Sequence, residues 1–368
     1  MVASQPKSMT LSNRPPPLPA LARLTLAGLA ALPAWCREGL AALLAALYYF
    51  LPNRRRRIAG ANLEGARFAS GLTVDGATLY PHLRYRARAL LTVGRLLHTP
   101  LDILFDEIKE IEGLERLTVR TADDRGVLMI APHLGYWELF SLFLSAQVRA
   151  AIVYRPPAAS AVEALLRAWR GRAGVEMLPA TAAGLRRAYQ RLAAGGIVGL
   201  LPDQKPAAGH AITIDFLGRP TPVSPLAARL ARHTHCRLLA GACVREGAGY
   251  RLRVIEVEPA DKGGSQDEAI MAAVFGAIEK LIALAPEQYQ WSYRLWPSQP
   301  AAASLDHDTP PGPPAIATRL EADNPASFGP GGAAGPAEKP PPVPSADDRN
   351  RPNHRRGTEE SQRQSRAQ

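Results

Sequence analysis

Short apolar runs alternate with longer amphipathic stretches from Gly126 onward, and this rhythm sets the expected fold. Val127-Leu128-Met129-Ile130 and Ala151-Ile152-Val153-Tyr154 are continuous apolar segments of strand length, as are residues 175–178 and 197–201. Between them, residues 134–147, 161–172 and 182–194 carry helical spacing, with Trp137 and Phe140 among the apolar positions of the first. Continuously apolar strands separated by helices predict an α/β fold, a mostly parallel sheet covered by helices on both faces. Residues 237–245 and 250–258 alternate more regularly and predict an antiparallel pair at one edge of that sheet. A last helix is expected over residues 267–284, and no internal repeat interrupts the pattern.

The N-terminal part reads differently. Residues 21–51 are rich in Leu and Ala but are broken by Pro33, Arg37 and Glu38. The cleanest run, residues 39–51, is shorter than the ~20 residues that span a bilayer core. It ends in Tyr48-Tyr49-Phe50, followed by Arg54-Arg55-Arg56-Arg57. Interfacial aromatics ahead of a basic block mark a cytoplasmic boundary. Residues 21–53 are therefore expected to be a spanning or half-inserted membrane anchor, with the following chain in the cytoplasm. A cleaved signal peptide is disfavoured, because the basic block follows the apolar run.

Composition sets the limits of the folded part. Residues 298–368 are dominated by Pro, Ala, Gly, Ser and charged residues, so little apolar surface is available to offset the entropy of ordering. They are expected to be a disordered tail and residues 1–20 a disordered leader, which leaves residues 54–297 as one catalytic domain. The formal net charge of +11 suits an anionic partner such as a lipid headgroup or an acidic carrier protein. No nucleic-acid-binding motif accompanies it. The three cysteines, Cys36, Cys236 and Cys243, lack CxxC spacing and read as buried, unreactive thiols. His233, His235 and Cys236 match no regular metal pattern, so no metal site and no cofactor are expected.

The chemistry centres on Ala131-Pro132-His133-Leu134-Gly135-Tyr136-Trp137-Glu138. His133 follows a buried strand and precedes a helix, where open α/β sheets place their active residues. Glu138 lies five positions on, a rotation of about 140° on a regular helix. The two side chains can meet only if His133 occupies the turn before the helix. A carboxylate on one ring nitrogen would fix the tautomer and make the other nitrogen a general base.

This block resembles the His-x4-Glu signature of the lipid A biosynthesis acyltransferase family, a branch of the lysophospholipid-acyltransferase-like enzymes. Further blocks resemble the family in order: Glu112-Gly113-Leu114-Glu115, Tyr154-Arg155-Pro156-Pro157, Arg172-Ala173-Gly174 and Leu200-Leu201-Pro202-Asp203-Gln204. Phe216-Leu217-Gly218-Arg219-Pro220, followed by Ala227-Ala228-Arg229-Leu230-Ala231, continues the series, and Ala285-Pro286-Glu287-Gln288-Tyr289-Gln290-Trp291 closes it.

The resemblance implies a glycerolipid-acyltransferase-like fold that transfers a fatty acyl group from acyl carrier protein to a hydroxyl of a membrane glycolipid. The acceptor implied is a lipid A precursor, and the place the bacterial inner membrane with the catalytic domain facing the cytoplasm. His133 would take the hydroxyl proton while Glu138 orients it, or Glu138 would itself be the base. Arg172, or Arg170 two residues before it, would offer a donor fork to a phosphate or to the oxyanion. Asp203 would open onto the same sheet edge, the other reading being a turn cap. Gly218 and Arg219 would shape the acyl or headgroup pocket, while Glu287 and Trp291 would complete the fold.

Two departures stand out: Tyr136 where the family commonly has Asn, and Asn62-Leu63-Glu64-Gly65-Ala66-Arg67-Phe68 in place of a longer lipid-proximal segment. The competing readings are another lipid acceptor (a phosphoinositol mannoside or an aminolipid), a lipid ester or thioester hydrolase, and a silent scaffold. The absence of Gly-x-Ser-x-Gly weighs against the hydrolase.

Overall fold

The computed structural model describes residues 20–117, 125–157, 160–206, 211–258 and 265–296. The expected disordered leader and tail lie outside the described residues. Five helices open the chain: α1 (Ala20–Ala31), α2 (Ala34–Phe50), α3 (Arg54–Gly65), α4 (Gly76–His98) and α5 (Leu101–Asp106). Then follow β1 (Ile108–Glu112), β2 (Val127–Ile130), α6 (Trp137–Gln147), β3 (Ala150–Tyr154), α7 (Ser160–Gly171), β4 (Glu176–Pro179), α8 (Ala182–Ala193) and β5 (Ile197–Leu200). The chain continues through β6 (Ile212–Phe216), β7 (Arg219–Val223), α9 (Leu226–Thr234), β8 (Arg237–Glu246), β9 (Gly249–Glu256) and α10 (Gln266–Ile282).

Seven strands form one sheet in the order β1-β9-β8-β2-β5-β3-β4. Only the β8–β9 pairing is antiparallel. Its register aligns Val127 with both Ile197 and Arg237, so β2 lies at the centre between β5 and β8. The continuous apolar strands follow from burial on both faces. Leu128, Ile130, Val153, Val198 and Leu200 enter one core with α3, α8, α9 and α10. Their alternate neighbours Val127, Met129, Ile152 and Ile197 enter a second core with α5 and α6.

The antiparallel pair is present but is not at the edge. β8 pairs parallel with β2, and β1 covers β9. The edge strand β1 reads Ile-Lys-Glu-Ile-Glu and is largely exposed, so it carries no buried-strand signal. Charge on an edge strand also discourages pairing with another chain.

The Gly-Arg-Pro segment, expected to shape the acyl or headgroup pocket, belongs to a separate β6–β7 hairpin. Its two-residue turn places Leu217 at φ 54° and Gly218 at φ 73°, the paired positive values of a type I′ connection. Leu217 tolerates that conformation because its side chain is fully buried and its N–H donates to Glu279 Oε1 at 2.6 Å.

The N-terminal run is not one straight span. Among the described residues no single helix is long and apolar enough to cross a membrane. Residues 24–31 and 34–50 instead form an apolar pair bent by 109° at the break before Pro33. Arg37 caps the first helix by donating to the Leu32 carbonyl at 2.6 Å, and Glu38 turns inward to an arginine cluster on α4. The charged interruption is thus a corner.

Candidate active site

β2 ends at Ile130, and α6 begins only at Trp137, three residues later than the sequence pattern predicts. The intervening loop is held between two other segments by backbone bonds. Gly135 N–H donates to Gln288 O at 3.2 Å, Tyr136 N–H to Cys243 O at 2.7 Å, and Gln290 N–H to His133 O at 3.1 Å. Gly135 sits at φ 59°, and a methyl group there would overlap the Cys243 carbonyl, so the loop requires glycine.

This loop delivers His133 to Asp203, three residues beyond β5. The Nδ1–H donates to Asp203 Oδ1 at 2.7 Å, and the His133 backbone N–H donates to Oδ2 at 2.8 Å. The Asp203 side chain is 1% exposed and that of His133 16%. Both carboxylate oxygens therefore fix one residue, which sets ring orientation and tautomer together. Burial first, and the Asp203 charge second, push the Tyr289 phenol well above its usual range, so it stays protonated beside that carboxylate. The free imidazole face is Nε2, where the Gln204 side-chain amide donates at 3.0 Å.

The expected His133–Glu138 pairing is not formed. Glu138, in the first turn of α6, accepts a two-pronged bond from Arg170, Nε to Oε2 at 2.9 Å and Nη2 to Oε1 at 2.7 Å. His133 does occupy the turn before α6, but its ring is turned to Asp203 rather than to Glu138, and the aromatic ring of Trp137 is what approaches it, with centroids 5.4 Å apart. Arg170 is therefore occupied by a carboxylate.

Arg172 is further from its expected role. It is buried, with Nη1 donating to the carbonyls of Leu96 and Leu97 and Nη2 to that of Thr99. Those carbonyls end α4, where a helix leaves its last acceptors without partners, so Arg172 acts as a C-terminal cap.

Gly218 and Arg219 lie at the hairpin tip, Gly218 close to Arg67 and Arg219 stacked on Trp296 at 4.6 Å. Their contacts are there rather than with His133. The body of the same hairpin does border the site. Phe216 and Val223, with Phe275 and Leu295, wall a narrow apolar cleft of about 10 Å³ that begins at Asp203 and Gln204.

Three contributors were missed by sequence reasoning. Gln204 was visible only as the neighbour of Asp203. Gln290 carries the backbone bond to His133, and its side-chain oxygen accepts from Gln204 at 3.5 Å. Asn62 donates to the carbonyls of Trp291 and Tyr293 at 2.6 and 2.7 Å, tying α3 to the segment that carries Gln290. Of the cysteines, Cys236 and Cys243 are buried, while Cys36 is partly exposed, contrary to expectation. Among the described residues no three His, Cys, Asp or Glu side chains converge as a metal-binding group.

A buried carboxylate holding a strand-end histidine, with one imidazole nitrogen left outward, is a general-base arrangement. No curated protein matches the chain. The model of the bacterial lipid A biosynthesis acyltransferase family matches residues 20–298, which include His133, Glu138, Arg170 and Asp203. With that match extending over most of its length, the chain belongs to the bacterial lipid A biosynthesis acyltransferase family.

Proposed function

We propose that the protein transfers a fatty acyl group from acyl carrier protein to a hydroxyl of a lipid A precursor. The observation that carries the mechanism is the His133–Asp203 pair, with Nε2 turned away from the carboxylate. The Gln204 amide donates to that nitrogen from the position an acceptor hydroxyl would take. His133 removes the hydroxyl proton as the oxygen attacks the thioester carbonyl carbon. Collapse of the tetrahedral intermediate breaks the carbon–sulfur bond, and the same imidazole returns the proton to the departing thiolate. The acceptor oxygen is itself the nucleophile, so no acyl-enzyme forms. Asp203 holds the Nδ1–H tautomer and stabilises the imidazolium.

Glu138 and Arg170 act as a positioning unit. The first turn of α6, which follows the His133 loop, is tied through them to the end of α7. Membrane attachment through the bent α1–α2 pair belongs to the same proposal. Leu24, Trp35, Leu43, Phe50 and Leu51 are all more than half exposed on it, an apolar surface suited to the bilayer interface. The inner membrane is the expected site, with α3 and the sheet on its cytoplasmic side. The positive charge of the chain suits an acidic carrier.

The test is incubation of the full-length protein with labelled acyl carrier protein, with and without the lipid A precursor. Label should enter the lipid only when acceptor is present. Release of free fatty acid in its absence would identify a hydrolase.

A further inference from the structure

A second polar centre lies on the other side of Gly135 from His133, and acyl transfer makes no use of it. It is a cavity of about 260 Å³ whose lining includes Tyr80, Arg84, Tyr85, Arg88, Arg245 and Gln288. Since liquid water takes about 30 Å³ per molecule, this is room for a phosphate-sized group with part of its hydration shell. Two wall residues are bonded directly to the catalytic loop. Tyr85 donates to Gly135 O at 2.5 Å, and Gln288 O accepts from Gly135 N–H.

The charge in this cavity is unbalanced. Arg84 and Arg88, one helical turn apart on α4, and Arg245, at the end of β8, all face the single carboxylate of Glu38. Arg88 pairs with it closely, whereas Arg84 stands at 3.6 Å and Arg245 at 4.0 Å, beyond hydrogen-bond reach. Among the described residues lining the cavity, the one carboxylate is that of Glu287, which accepts from Gln288 at 3.1 Å.

Within the arginines themselves, two buried nitrogens, Arg88 Nε and Arg245 Nε, have no hydrogen-bond partner. A native fold rarely leaves two such groups together, because each unsatisfied donor costs about 1–3 kcal/mol. A tetrahedral oxyanion supplies what is missing. It has several acceptor oxygens for guanidinium forks, and more negative charge than one carboxylate.

We infer that the Arg84–Arg88–Arg245 cavity is a phosphoryl-binding site, and that the Glu38 carboxylate, held against the same three arginines, is the internal counter-charge with which a phosphate group competes. Glu38 belongs to α2, three residues after Trp35, which is 77% exposed. This counter-charge is thus mounted on the same helix pair that presents an apolar face, and its displacement by a phosphate removes an ion pair between that helix and α4.

The site stands independently of the acyl-transfer proposal, because its test needs no turnover. Inorganic phosphate is titrated calorimetrically into the full-length protein at constant ionic strength. Glu38→Gln should bind phosphate roughly tenfold more tightly than the unaltered chain, since the competing charge is gone. Arg88→Met and Arg245→Met should abolish binding. Arg84→Met, at a position 45% exposed and so tolerant of change, should weaken it several-fold and serves if either deeper variant fails to fold.

Folded Glu38→Gln protein with unaltered affinity, or Arg84→Met and Arg88→Met proteins that bind as well as the parent, would overturn the assignment. Flotation with phosphatidylcholine vesicles, with and without phosphatidic acid, identifies the source. Binding that depends on phosphatidic acid and is suppressed by inorganic phosphate assigns a lipid-borne phosphate. Calorimetric binding with no phosphatidic acid dependence assigns free phosphate.

Discussion

The His133 and Arg88 centres share Gly135 as a neighbour, yet they are built in opposite ways. Around His133 the hydrogen bonds are closed. Both Asp203 oxygens accept, the imidazole uses both nitrogens, and the carboxylate is almost fully buried. Around Arg88 they are open, with three guanidinium groups sharing one carboxylate and two buried guanidinium nitrogens left over. The first pattern suits a group that must keep one tautomer through a reaction, because pre-arranged partners need no reorganisation in the transition state. The second suits a group that waits for a ligand, because unmet hydrogen bonds are the affinity held in reserve for it.

The sharpest way to break this comparison is at the closed centre. His133→Ala and Asp203→Asn should each lower kcat by about 10²–10⁴-fold while leaving the thermal unfolding midpoint nearly unchanged. Equal kcat in the Asp203→Asn variant would remove the proposed role of the carboxylate.

Acid should act next most strongly, through the residue that ties the two centres together. His82 on α4 bonds the Glu287 carbonyl and the Ser292 hydroxyl, both at 3.0 Å, and burial holds its pKa down at about 4. Its unfolded value is near 6.5. Between those limits the unfolded chain binds more protons than the folded one. Stability is therefore complete above about pH 6.5, falls by roughly 1.4 kcal/mol per pH unit below it, and levels off under about pH 4. Chemical denaturation across that window, repeated on His82→Gln, should show the slope disappear in the variant.

A smaller effect is expected at Glu138. Glu138→Ala and Arg170→Ala should each slow transfer by about tenfold, and the double variant should be no slower than either, since the two act as one unit. Additive losses would place Glu138 in the chemistry separately from Arg170.

Much of the scaffold was legible because its signals are local. The strand at Val127–Ile130 matches the prediction at both ends, and the helices after β3, β4 and β9 fall within two residues of their expected bounds. β1 was not legible, because three of its five residues are charged and its partner β9 is far along the chain. The site divides the same way. His133 and Asp203 were each placed at strand ends, but their pairing was not foreseen. The resemblance to a His-x4-Glu signature pointed to Glu138, whereas the partner in the structure lies seventy positions away and depends on β2 and β5 being neighbours in register. Arg172 was misread for a related reason. Its position in a motif carries no information about the C-terminus of α4, which its guanidinium caps.

The sequence by itself determined the class of fold, the family and the loop from Ala131 to Glu138, since periodicity and motif order are written in neighbouring residues. The partners of the charged groups were decided only by the tertiary structure. A carboxylate or a guanidinium stabilises whichever opposite group the packing brings within about 3 Å, and a linear spacing does not encode that distance. Thus the fold gave Asp203 to His133, Arg170 to Glu138, and to Arg84, Arg88 and Arg245 a single Glu38.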